Sequence, residues 1–298
     1  MLARRPYEFM IQFTSQKEWI DRQGILYWLA LFFIELGAGM FIVSSIFGSL
    51  PGMLIGWLIC GVLGGGLHLL YLGKPLRFWR ILTFPSGWKT SWITRGMYFL
   101  MIFMALGAIH MILAQWVTPV LGLMIAADIF AFLAVIYAGF AMAFVNGLKL
   151  WNTPKIPVLF AVAGIWGGIG LTLATVLATG AHATVLTLEA WTRLFLIGFI
   201  MILIIYLLSI RYSGAAGKIS VRQIVAGKWA PLFWIMVMVL GMAFPLVVAL
   251  MGWVGGVAIP TVLIFAVILF ELLGDLSLRY LILKNGYYEG LIPHTSYA

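Results

Sequence analysis

The chain has 298 residues, of which 64% are apolar and 9% charged, against about 25% charged in an ordinary globular protein. That excess of apolar side chains cannot be hidden in a water-facing fold, so a soluble domain is excluded and the solvent for most of the chain is lipid. The net charge is +9, and the single cysteine, Cys60, excludes an internal disulfide, a thiolate-held iron–sulfur cluster and a four-cysteine zinc site.

Residues 1–24 mix Arg4, Arg5, Glu8, Lys17, Glu18 and Asp21 with Phe9, Phe13 and Trp19 and read as an interfacial amphipathic segment rather than a signal peptide. Apolar runs long enough to cross a hydrocarbon layer of about 30 Å follow at about 25–47, 52–72, 96–116, 119–145, 157–179, 191–210, 231–252 and 257–283. They lack the period-2 alternation of barrel strands. The expectation is an all-α integral membrane protein, an eight-helix bundle over residues 25–283 with a tail at 284–298. Pro51-Gly52, Pro85-Ser86-Gly87, Pro119, Asn152-Thr153-Pro154, Gly214 to Gly217 and Gly255-Gly256 punctuate the breaks.

An even number of spans puts both termini on one side. All Lys and Arg except Arg193 then fall on that same side, which the positive-inside rule assigns to the cytoplasm. The expected location is the inner, cytoplasmic membrane, multi-pass, with a basic face suited to anionic lipid and to an acidic cytoplasmic partner. Nucleic acid is a poor match, because the basic residues are spread over several loops with no binding module around them.

Four acidic residues, Glu35, Asp128, Glu271 and Asp275, fall inside expected spans, where an ionised side chain costs about 2.5 kcal/mol or more unless paired or wetted. Glu35 lies roughly 15 Å into the first helix and is followed by Gly37 and Gly39. It is either a protonated carboxyl bonded to a neighbouring helix or part of a quinone or proton site. Glu271, Asp275 and Arg279 share one helical stripe at i, i+4, i+8, readable as a structural ion ladder with an Asp275–Arg279 pair or as a proton route. A dihaem subunit needs four axial imidazoles, and His68, His110, His182 and His294 do not supply two at each level. One His110–His182 haem is the remaining cytochrome b-like alternative, and the expectation is no haem. A secondary transporter with an intramembrane carboxylate is the rival class, but no pair of matching broken helices is visible. A purely structural anchor would leave the four buried carboxyls unexplained.

The segment from Leu67-His68 through Gly73-Lys74-Pro75-Leu76-Arg77-Phe78-Trp79-Arg80, followed by Ser91-Trp92-Ile93-Thr94-Arg95-Gly96, resembles the signature loop of the NrfD-like, polysulfide-reductase-type membrane anchors. Tyr137-Ala138-Gly139 is similar to that family's Tyr-Thr-Gly motif with Ala for Thr, and Glu271 through Arg279-Tyr280 is similar to its final helix. The resemblance implies a haem-free subunit, not catalytic alone, that exchanges electrons between menaquinone or ubiquinone and a ferredoxin-like iron–sulfur subunit. That subunit would be joined to a molybdenum- or tungsten-pterin (molybdopterin-type) catalytic subunit, so the iron–sulfur and pterin cofactors reside in the partners. It also implies a quinone pocket against the first helix. Tyr137 and His68 are the first hydrogen-bond candidates there, with Glu35 alongside. Glu35, Asp128, Glu271 and Asp275 are the candidates for proton transfer, and Lys74, Arg77, Arg80 and Arg95 for partner docking or for snorkelling to the lipid surface.

Overall fold

A computed structural model describes residues 19–83, 86–116 and 121–288. The terminal segments on which the expected interfacial stretch and most of the tail fall, with Arg4, Arg5, Lys17 and His294, lie outside the described residues, as do Pro85 and Pro119. Eight helices are long and apolar enough to span a membrane: span 1 Gly24–Ile46, span 2 Leu50–Tyr71, span 3 Trp92–Leu113, span 4 Leu121–Ala143, span 5 Lys155–Thr179, span 6 Val185–Arg211, span 7 Ala230–Trp253 and span 8 Thr261–Lys284. No strand occurs among the described residues; one isolated antiparallel bridge joins Leu148 to Tyr288.

The eight spans match the expected runs, with two boundaries corrected. Span 3 starts at Trp92 rather than 96, because the Ser91 side chain caps it by accepting from the Thr94 backbone N–H at 3.3 Å. Span 6 starts at Val185 rather than 191. Its first turns are polar on one side, so hydropathy alone misses them, and they carry the i, i+4 pair Glu189–Arg193 at 4.0 Å. Span 5 ends where Gly180 takes a left-handed φ of 73°. The Gly214–Gly217 break is also more ordered than expected. It opens a surface helix, Ala215–Val225, which buries Ala216, Gly217, Ser220, Val221 and Ile224 and exposes Lys218 and Arg222.

In lipid there is no hydrophobic drive between helices, so association depends on close packing and interhelical hydrogen bonds. The sequence supplies small residues where backbones cross. A Cβ on Gly39 would run into the Gly164 carbonyl, and one on Gly168 into the Gly39 and Met40 backbone, so spans 1 and 5 touch main chain to main chain. Gly37 and Gly56 do the same between spans 1 and 2, and Gly241 and Gly274 between spans 7 and 8. Spans 1 and 5 are accordingly the axis of the bundle. The most apolar stretches of these two are 78% and 72% buried, against 28–44% in the other six, whose Leu, Ile and Val side chains face outward.

Side-chain donors tie distant spans together. The Trp28 indole donates to the Leu276 carbonyl, Trp57 to Met104, Trp151 to Ile282, and the Tyr206 hydroxyl to Leu150. At one end of the bundle Lys284 pairs with Asp21, and Trp19 packs edge-on against Trp151. The start of span 1, the loop between spans 4 and 5 and the end of span 8 therefore meet there. Phe47 against Trp191 and Ser45 bonded to Asp128 mark the opposite end. Two spans contain wider π-helical turns, Ile59–Gly65 in span 2 and Phe233–Ala243 in span 7, a deviation frequent at functional sites.

Candidate quinone and proton site

Span 1 carries Glu35 one turn before Gly39, and the glycine crossing with span 5 holds its carboxyl in the gap between helices, fully buried. The side chain of Arg279, 3% exposed, enters from span 8 and pairs with Glu35 through Nη1. Its Nε donates to Asp275 Oδ2 at 2.9 Å. The guanidinium carbon stands 4.5 Å from the Phe160 ring centroid and 5.9 Å from that of Phe32, a cation–π seat. One guanidinium thus serves two carboxyls contributed by the first and last spans. Glu35 Oε1 has no hydrogen-bond partner among the described residues. The Asp275–Arg279 pair was legible in the sequence; the Glu35–Arg279 pair was not.

Beside span 1 at Tyr27, His68 from span 2 and Tyr137 from span 4 come together. The Tyr137 hydroxyl lies 3.5 Å from His68 Nδ1, and both residues are buried. Gly96 of span 3 makes room for the Tyr137 ring, since a Cβ there would overlap it. Tyr27 and Tyr71 complete the group, with ring centroids 4.9 Å apart and the Tyr27 ring 5.9 Å from the imidazole. His68 Nε2 and the Tyr27 hydroxyl are buried without partners among the described residues. Tyr27 and Tyr71 are members that residue-type reasoning missed; a phenol two turns before Glu35 was the available signal.

The other candidates are dispersed. Asp128 accepts from Ser45 at 2.9 Å, and Ser45 lies ten residues, roughly 15 Å, along span 1 from Glu35. Asp128 is therefore at the far end of the bundle, bonded to Ser45 and apart from Glu35, His68 and Tyr137. Glu271 sits two turns from Arg279 on span 8, is 2% exposed, and has no partner for either oxygen among the described residues. It reaches a cavity of about 430 Å³ between spans 6, 7 and 8. A second cavity of about 330 Å³ shares Arg193 and Trp253 with it, and neither touches Tyr137, His68 or Glu35.

Lys74, Arg77 and Arg80 are exposed on the loop after span 2. Arg95 is not free for docking as expected. It donates to the Trp88 and Lys89 carbonyls at 2.7 and 2.8 Å and lies over the Trp92 ring, bracing the loop from within. Of the two histidines weighed as haem ligands, His110 is buried near the end of span 3, and the side chain of His182 is outside the described set.

Comparison with known proteins finds a family match that covers all eight spans. The family described as polysulphide reductase, NrfD, matches residues 23–289. Among curated proteins, the chain is 23% identical over 155 residues to a protein NrfD homolog of Haemophilus influenzae, covering 50% of this chain and 48% of that protein. It is 31% identical over 148 residues to a sulfite dehydrogenase subunit of Allochromatium vinosum, covering 43% of this chain and 41% of that one. The chain spans less than half the length of each of these relatives.

Proposed function

This chain belongs to the NrfD, polysulphide reductase family of membrane subunits, and on that footing we propose that it binds a membrane quinone or quinol, menaquinone or ubiquinone, and passes electrons to or from an iron–sulfur subunit. That partner would serve a molybdenum- or tungsten-pterin oxidoreductase; the likeness to a sulfite dehydrogenase subunit supports an oxidoreductase assembly without fixing its substrate. We further place the basic loops, the partners and both termini in the cytoplasm, with the chain in the inner membrane, on the positive-inside argument.

The observation that carries the reading is the set of buried polar atoms without a partner among the described residues around span 1: His68 Nε2, the Tyr27 hydroxyl and Glu35 Oε1. Buried polar atoms are normally bonded, and a ring with oxygens at opposite ends suits such a set. A quinol supplies two electrons and two protons when it is oxidised. His68 Nε2 would hold one ring oxygen, with Nδ1 steadied by Tyr137, and Tyr27 and Tyr71 would wall the site against water. Glu35 and Asp275 share one guanidinium, so one carboxyl is balanced and the other is free to hold or release a single proton. Arg279 fixes both at the place where that proton is needed. His68 lies one turn from the end of span 2 at Tyr71, so the imidazole end of the site is close to the exposed basic loop where a cluster-bearing partner would dock.

Glu35→Gln tests this. It keeps the shape and a hydrogen bond to Arg279 but removes the titratable proton. Quinone-linked turnover of the assembled complex should fall about a hundredfold or more, while electron transfer from the soluble subunits to an artificial dye stays near normal. Unchanged quinone-linked turnover would remove Glu35 from the site.

A further inference from the structure

The cavity between spans 6, 7 and 8 is separate from the quinone candidate, and its residues divide by depth. Its rim combines the polar Glu189, Thr192 and Arg193 in the first turns of span 6 with the apolar turn around Ala258. Leu196, Val248, Ile264, Val267 and Ile268 form the walls, and Glu271 is at the floor. The rim lies at the end of the bundle marked by the Phe47–Trp191 contact, opposite the end where Asp21 meets Lys284. Glu271 is the eleventh residue of span 8, so at 1.5 Å per residue the cavity descends roughly 15 Å, to the middle of the membrane.

We propose that this cavity is a water-filled access path by which Glu271 exchanges protons with the compartment opposite the basic loops. Two kinds of occupant suit the walls, a lipid acyl chain or water. An acyl chain would leave both carboxyl oxygens of Glu271 without a bond, whereas water bonds them and also the ionic rim. A volume of about 430 Å³ accommodates several waters, each filling about 30 Å³ in the liquid. In each exchange one proton passes between a cavity water and a Glu271 oxygen, and no electron moves. From Glu271 the same face of span 8 leads one turn on to Asp275, which shares Arg279 with Glu35. The quinone candidate is thereby given a proton connection to the face away from the docking loops. Use of the path by quinone chemistry rests on the function proposed above; the path itself does not, and the test addresses the path alone.

The full chain in sealed vesicles is probed with a charged, membrane-impermeant methanethiosulfonate. Cys60 is completely buried and serves as an unreactive internal control. Glu271→Cys and Val267→Cys should react from the face bearing the 254–260 turn, at least about tenfold faster than Leu269→Cys, which faces lipid on the same helix, because apolar surroundings leave a thiol inert. Adding Ala258→Trp at the exposed rim should slow the Glu271→Cys reaction about tenfold by blocking entry to the thiolate. The proposal is overturned if Val257→Cys at the rim reacts while Glu271→Cys and Val267→Cys, both eluting as folded protein, do not. Lipid then fills the cavity. It is equally overturned if Glu271→Cys reacts from the basic-loop face.

Discussion

Replacing Arg279 by Met removes one charge and nearly preserves volume, so its effect isolates the ion cluster. The guanidinium is 3% exposed and its partner Glu35 0%, so solvent screening offers no relief. Removing one partner of a buried pair costs about 3–5 kcal/mol because it leaves an uncompensated charge, which is about a hundredfold to a few thousandfold in the folding equilibrium. The lost contact with Phe160 adds an amount closer to 1 kcal/mol. The measurement is SDS-driven unfolding of the purified chain followed by tryptophan emission, with wild type, Arg279→Met, and a triple variant that adds Glu35→Gln and Asp275→Asn. The triple variant should recover part of the loss, since it leaves no uncompensated buried charge. If Arg279→Met unfolds with wild type, or the triple variant is no better than the single, the charge argument fails and Arg279 is held by its packing between Phe160 and Phe32.

Three shorter tests follow. Gly39→Leu drives a side chain into the Gly164 backbone and should cost at least the roughly 1–3 kcal/mol typical of overpacking, read as loss of the monodisperse peak in size-exclusion chromatography. Cysteines at Ser49 and Gly256 should label from outside intact cells, while one at exposed Lys218 should not; the reverse pattern would place the basic loops outside and refute the cytoplasmic assignment. The purified chain should show no stoichiometric Soret band, and a b-type spectrum would return His110 to consideration as a ligand.

The spans were legible because apolar runs of about 20 residues have few alternative explanations. Boundaries failed where polar residues belong to a helix end, as at Ser91 and at Glu189–Arg193. The local pair Asp275–Arg279 was legible from i, i+4 spacing, but periodicity within one helix says nothing about which other helix it faces, so the Glu35–Arg279 contact was hidden. The Ser45–Asp128 contact between spans 1 and 4 was hidden for the same reason. His68 and Tyr137 were paired through family resemblance. Seven residues of π-helix end at Gly65, just before His68, and one extra residue in a turn rotates all that follows by about 100°. No α-helical wheel drawn through span 2 would have aimed that imidazole correctly.

The Glu35–Arg279 pair joins residues 244 positions apart. At about 5–20 residues per second of synthesis, the arginine emerges about 10–50 s after the glutamate. During that interval span 1 waits in the membrane without its counter-ion and without the Trp28 bond to Leu276 that fastens it to span 8. The helix that becomes the centre of the bundle is therefore made well before the partner that completes its ion pair. A nascent chain stopped before Thr261 would hold the other seven spans found among the described residues yet keep Glu35 without its arginine, so synthesis of span 8 is the step that neutralises the buried acid of span 1.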